Sequence, residues 1–238
     1  MSGRLPPAYV HGSFSTPFRA AQHKCSICAP VTHKTEWPIR VNRPTSFIKR
    51  KAGATLLHSA RTAAALHRPF NTFVTISLWK LGGDGETVSL FIRELIERHF
   101  HRWSIYRPRS EAKPRNGPPT YAWVAEAPNG FAHVHWMLHI QSGREVAFAM
   151  ALQRWVARRT GAKIIPEGVI QMKPVIEAEG LKLYFAKGLD PHLARLWRIR
   201  PTDCGSVSGV RARVSRNLGP SEWQPRKQAY LRSQRRAA

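Results

Sequence analysis

The sequence predicts an α+β fold, an antiparallel sheet built in the order βαββαβ and closed by one further helix. Three observations predict it. Alternating runs at 70–79, 120–127, 131–140 and 168–175 read as strands. Apolar residues recur at helical spacing over 87–103 and 142–159. Asn129-Gly130 separates two of the strands, the strongest short-range hairpin signal.

Each element can be justified in order. Residues 1–65 are rich in Pro, Ser, Thr, His and Arg and show little periodicity. They read as a largely irregular basic arm, with a short helix near 54–66. From Phe70 the pattern sharpens: Val74, Ile76 and Leu78 point one way, Thr75 and Ser77 the other. A Gly-Gly-Asp-Gly loop leads to helix 87–103, whose stripe is Val88, Phe91, Ile92, Leu95, Ile96 and Trp103. The Pro- and Arg-rich stretch 107–119 reads as a loop, followed by the two hairpin strands. Ser142 and Glu145 fit a capping box, and that helix runs to about Arg159, closed by Gly161. After strand 168–175, a helix near 178–189 carries Leu-Tyr-Phe-Ala-Lys-Gly. The expected division is a basic arm over 1–65, a core domain over 66–192 and a basic C-terminal extension over 193–238. The order is that of a ferredoxin/RRM-like sheet with an additional tyrosine-bearing helix. Such a sheet covers one face with helices and leaves the other partly free. Fold alone does not decide function.

Charge narrows the partner class. The 238 residues hold 38 Lys plus Arg against 14 Asp plus Glu, a formal charge of +24. Residues 1–68 hold 11 basic against 1 acidic, 69–192 hold 16 against 11, and 193–238 hold 11 against 2. Basic flanks around a more balanced centre suit a polyanion, most often nucleic acid. No stretch approaches the ~18 consecutive apolar residues of a membrane span, and no secretion signal is evident, so a cytoplasmic protein with no membrane partner is expected. Three cysteines, Cys25, Cys28 and Cys204, are odd in number and too few for a disulfide scaffold. Cys25 and Cys28 form a single CxxC near His23 and His33, short of the two-pair pattern of a zinc module.

The hairpin makes the sharpest chemical statement. With a two-residue turn at Asn129-Gly130, Glu126 meets His133 and Val124 meets His135. His133 and His135 share a face because strand side chains repeat every two residues, and Glu126 joins them. Two imidazoles and a carboxylate on an open face suit a divalent ion with free coordination positions. Val134, Trp136 and Leu138 would pack under the helices and anchor the site. His139 has the same parity but lies ~13 Å beyond His135 at strand rise, too far to share an ion.

Tyr184 and Lys187, three apart on the last core helix, share a face. A phenol near a metal can act as a nucleophile, and a neighbouring ammonium can favour the phenolate or hold a phosphate. Together, Phe73–Trp79 (FVTISLW), His133-Val134-His135 and Tyr184-Phe185-Ala186-Lys187 resemble the motifs of the HUH endonucleases, within them the rolling-circle replication initiators. The resemblance covers roughly 70–190. It implies a metal held by Glu126, His133 and His135, with Mg²⁺ or Mn²⁺ as the ion. It implies Tyr184 as nucleophile and Lys187 as its assistant. The Tyr follows the His pair, as in initiators, and the position four residues on is Gly188, so the chain is similar to single-tyrosine initiators. The implied activity is strand-specific nicking of DNA at a single-stranded or hairpin origin through a 5′-phosphotyrosine. No P-loop motif is present, so unwinding and synthesis would fall to a host helicase and polymerase. Thr75 and Ser77 on the open face, with Arg211, Arg213 and Arg216 in the C-terminal segment, are the expected nucleic-acid contacts. The rival readings are a non-catalytic nucleic-acid-binding protein on the same fold, with Tyr184 in the core, and an HUH-type transposase or mobilisation nickase.

Overall fold

The structure is a computed structural model that describes residues 43–106 and 116–237. The CxxC at Cys25 and Cys28, most of the basic arm and most of the loop 107–119 lie outside the described residues. The elements in order are β1 Pro44–Thr45, α1 Arg50–Ala65, β2 Thr72–Ser77, α2 Val88–Glu94, a π-helical turn Leu95–Phe100 and α3 His101–Ile105. They continue with β3 Tyr121–Glu126, β4 His133–Leu138, α4 Glu145–Thr160, β5 Ile170–Pro174, α5 Ala178–Phe185 and α6 Pro191–Leu196. The chain ends in β6 Val207–Ser208, β7 Ala212–Val214 and α7 Pro220–Ala237.

The fold is α+β. Five antiparallel strands pair in the order β5-β2-β4-β3-β7, and β1 pairs separately with β6. The first four strands of that order, with α2–α3 and α4 as connections, are compatible with a ferredoxin-like arrangement. No helix among the described residues is long and apolar enough to cross a membrane.

Alternation along the strands builds two cores. Val74, Ile76, Trp123, Ala125, Val134 and Trp136 point to the face covered by α2, α3 and α4. On α4 the buried residues Phe148, Ala151, Leu152, Trp155 and Val156 follow the helical stripe, and Phe100 meets Trp136 edge-on at 4.9 Å. The π turn adds one residue to the helical repeat. It brings Phe100 into full burial and leaves the expected stripe member Trp103 only partly buried.

The opposite face, expected to be partly free, carries a second layer over much of its area. Ala122, Val124 and Met137 are buried there under α1, α5 and α6, against Leu56, Ala60, Phe185 and Leu189. The sequence hides this layer because, Leu56 apart, α1 meets the sheet with small residues. Gly53, Ser59, Ala60 and Ala63 are among its buried side, and a Cβ on Gly53 would overlap the Leu189 side chain. The arm and the extension therefore both supply parts of the same fold: α1 covers the sheet and β7 lengthens it. The part of this face near the β3–β4 turn and along the β2–β5 edge remains accessible, and the candidate site lies there.

Two further expectations are corrected. Helix α4 starts from Arg144, and no Ser142–Glu145 capping box forms. Gly143 turns the chain at φ 82°, and the Arg144 guanidinium lies over the Trp103 ring at 4.1 Å, which anchors the helix start instead. Helix α5 ends at Phe185 rather than near 189, because Asp190 caps a new helix by accepting from the His192 and Leu193 amides.

Candidate metal centre

The β3–β4 turn sets the site. Asn129 (φ 52°, ψ 29°) and Gly130 (φ 82°) both take positive φ, and Phe131 N donates to the Pro128 carbonyl at 2.9 Å. This is a two-residue type I′ turn, the conformation for which Asn-Gly is the best sequence. The register follows: Glu126 stands opposite His133 and Val124 opposite His135. Strand β2 lies on the other side of β4, so Thr75 pairs with His135 and Ser77 with His133.

The side chains converge. Glu126, His133 and His135 each present a ligand atom within 4.8 Å of the others, an arrangement that could hold a metal ion. Glu126 Oε2 lies 3.2 Å from His133 Nε2, 3.9 Å from His135 Nε2 and 2.9 Å from Lys187 Nζ. Tyr184 Oη lies 3.0 Å from His135 Nε2, and Lys187 Nζ sits over the Tyr184 ring at 4.0 Å. Lys187 lies in the turn after α5, not on the helix. Its amide donates to the Tyr184 carbonyl at 3.3 Å, and this i,i+3 turn keeps the two side chains on one side. Tyr184 is 41% exposed, so it is not a core residue.

The hydrogen-bond network fits a cation. His133 Nδ1 lies 2.8 Å from the Phe131 carbonyl, which can only accept, so Nδ1 carries the hydrogen. Nε2 then faces the Glu126 carboxylate, an acceptor, at 3.2 Å. That contact is satisfied by a proton on Nε2 or, when Nε2 carries a lone pair, by a positive ion between the two groups. His135 is oriented in the same sense: Nδ1 pairs with Thr75 Oγ1 at 3.1 Å, leaving Nε2 toward Glu126 and Tyr184. A ring fixed through its other nitrogen is how histidine ligands are generally held.

Electrostatics keep the donors in ligand form. Glu126 is only 3% exposed, and burial pushes its pKa up. The His133 hydrogen bond, His135 and Lys187 outweigh this and hold the carboxyl at about 2. Burial lowers the His135 pKa, Glu126 opposes, and His133 and Lys187 reinforce it, leaving about 3. At neutral pH the cluster therefore offers a carboxylate and an unprotonated His135 imidazole. For Lys187, burial favours the neutral amine, but Glu126 beside it wins and raises its pKa.

Comparison with models of known protein families, with curated proteins and with solved structures gives no match to this chain. The site must therefore be read from its own geometry.

The expected nucleic-acid contacts fare unequally. Thr75 orients His135 and lines a cleft of about 670 Å³ beside Tyr184, together with Phe73, Gln171, Lys173 and Leu181. Ser77 stands next to His133 on the same face. Arg211 does not fit the expectation. It is buried, and its guanidinium donates to the carbonyls of Ser46, Cys204 and Gly205, so it ties the chain together and has no surface for a phosphate. Arg213 faces the helix-covered side, 3.5 Å from Glu97, away from the cluster. Arg216 is exposed in the turn before α7.

Sequence reasoning missed two neighbours of the cluster. Phe73 stacks on His135 with centroids 5.6 Å apart, a contact its strand parity with Thr75 already implies. Cys204 is buried beside Glu126, and burial with the nearby carboxylate pushes its thiol up to about 11. Nothing in the local sequence announces that contact, because the segment arrives from 78 residues away along the chain.

Proposed function

We propose that this protein nicks one DNA strand through a covalent 5′-phosphotyrosine and thereby starts rolling-circle replication. The observation that carries the reading is the position of the Tyr184 hydroxyl, half-exposed and within 3.0 Å of His135 Nε2 at the Glu126–His133–His135 cluster. A phenol placed there to fill a core would be buried and would not meet a ligand set. The motif resemblance supports the same reading, and the charge of +24 supports a polyanionic substrate.

Held by Glu126, His133 and His135, Mg²⁺ or Mn²⁺ would supply positive charge at the scissile phosphate. The chain's own residues do the rest. Tyr184 Oη forms the new bond to phosphorus as the bond from phosphorus to the 3′ oxygen breaks. The phenolic proton ends on that oxygen, giving a free 3′-hydroxyl and a 5′-phosphotyrosine, with no change in the number of phosphodiester bonds. Lys187, over the Tyr184 ring and 2.9 Å from Glu126, steadies the negative charge that gathers during attack. The cleft lined by Phe73, Thr75 and Lys173 gives an unpaired strand a place to lie beside the phenol.

The test uses labelled single-stranded origin libraries with Mn²⁺ on a denaturing gel. The reading expects a metal-dependent covalent adduct that Tyr184→Phe abolishes while folding and DNA binding persist. An adduct of undiminished yield in Tyr184→Phe, or none from any strand with the wild type, defeats it.

A further inference from the structure

A second charged site lies on the far side of the sheet. Between α2–α3 and α4 runs a cleft of about 650 Å³ lined by Arg98, His99, Arg102, Arg154, Trp155 and Arg158. Arg98 and Arg102 are four apart on one helical run, Arg154 and Arg158 four apart on the other, so each pair shares a face. All four arginines are exposed. Among the described residues, no Asp or Glu lines the cleft. Arg98 is 3.7 Å from Glu94, but Arg102, Arg154 and Arg158 have no ion pair among the described residues.

Like charges held this close cost stability unless something answers them. His99 registers the field: its pKa is lowered by burial first and then by Arg158, Arg102 and Arg98. Most of the aromatic faces of the cleft are already occupied, and only Tyr106 at its edge, 57% exposed, keeps an open ring. His99 stacks on Trp155 at 5.7 Å, and Arg144 covers Trp103 at 4.1 Å. The chemistry left for a partner is therefore mainly an array of guanidinium donors, which recognises phosphate oxygens. A run of unpaired bases would need a row of free ring faces, and Tyr106 alone does not supply one. A duplex offers the densest phosphate array, about one charge per 1.7 Å of axis, and needs no stacking platform.

We infer that this arginine cleft binds the phosphate backbone of a nucleic-acid duplex, on the face opposite the metal cluster. The helices α2, α3 and α4 cover one face of the sheet, whereas Glu126, His133 and His135 project from the other. The two sites can thus be engaged at once, and the cleft would hold a duplex whatever chemistry the cluster performs.

The experiment measures anisotropy of a short random-sequence DNA duplex with the full chain, in chelator so that the metal cluster is silent. With Arg102, Arg154 and Arg158 all changed to Gln, the salt slope should flatten by about 3. The affinity lost between about 50 and about 200 mM salt should then shrink about 40-fold. Each single Arg→Gln variant should flatten the slope by about 1, which covers the case of a triple variant that folds poorly. Lys at the three positions should restore the slope. Tyr184→Phe and His135→Ala should leave it unchanged, which separates failure here from failure of the nicking reading. An unchanged slope in folded Gln variants overturns the inference. So does a loss that appears with polyglutamate but not with the duplex, which would make the cleft a protein-binding surface.

Discussion

Lys187→Met is the perturbation that most tightly links the cluster to its ion. Glu126 Oε2 is 2.9 Å from Lys187 Nζ, with side-chain exposures of 5% and 18%. Removing one partner of a buried pair costs about 3–5 kcal/mol, because the other charge is left uncompensated. Water reaches Lys187, and His133 stays beside the carboxylate, so about 2–3 kcal/mol is the expected loss. For a domain of this size that lowers Tm by about 4–12 °C. Met keeps the length of the stem, so packing changes little. The informative step is adding Mn²⁺. A cation bound at the cluster replaces the missing ammonium, and at a hundredfold excess over Kd it returns about 2.7 kcal/mol. In the wild type the ion competes with Lys187 for the carboxylate, so its stabilisation is smaller. Thermal melts of both proteins in chelator and in Mn²⁺ read this out. A variant that melts like the wild type in chelator, or that gains less from Mn²⁺ than the wild type does, refutes the reasoning.

Other expectations follow from the same structure. His135→Ala should cost about 2–3 kcal/mol in urea denaturation, because it empties a buried site and strands Thr75 and Tyr184 without their partner. A solvent-facing histidine would cost little. In chelator, stability should fall as pH drops below about 6.5: the unfolded chain then protonates His135, while the folded site, at about 3, does not. Between pH 7 and pH 5 the His135 contribution lost is about 2 kcal/mol, and Glu126, held at about 2, extends the decline below its ordinary 4.5. A flat stability profile over this range would contradict the protonation states assigned to the cluster. The exposed Arg226, Lys227, Arg232 and Arg235 of α7 should each reduce the DNA salt slope by about 1 when changed to Gln, if the helix touches phosphates as a basic extension would. Point changes are cleaner than deleting the helix, since Trp223 stacks on His58 at 4.1 Å and helps hold α7 on α1.

The parts of this protein legible in sequence are those with short-range logic. Asn129-Gly130 fixes its turn, and the turn fixes which residues face His133 and His135, so the ligand set can be counted out along two strands. Tyr184 and Lys187 meet because three positions make one turn, even though the helix has ended by then. The layer over the second face was hidden for the opposite reason. Apart from Leu56, helix α1 buries Gly53, Thr55, Ser59, Thr62 and alanines, which carry little hydrophobic signal. Strand β7 is three residues long and pairs with β3 from about 90 residues away in the chain, beyond any local pattern. Arg211 looked like a phosphate ligand because composition records charge and not burial; three backbone carbonyls surround it instead. The consequence for the site is material. The second layer is why Glu126 and His135 are buried, and burial is what separates this cluster from incidental surface histidines.

Peptide mapping of the covalent adduct is the most direct test of the central claim. Trypsin cutting after Lys182 and Lys187 releases Leu183-Tyr184-Phe185-Ala186-Lys187. After reaction with a single-stranded origin and Mn²⁺, and nuclease trimming, this peptide should carry the mass of a 5′-nucleotide on Tyr184, and chelator should remove the signal. Attachment to a peptide containing Tyr121 or Tyr230, or cleavage of the strand with no peptide modified at all, would contradict the assignment of Tyr184 as the nucleophile.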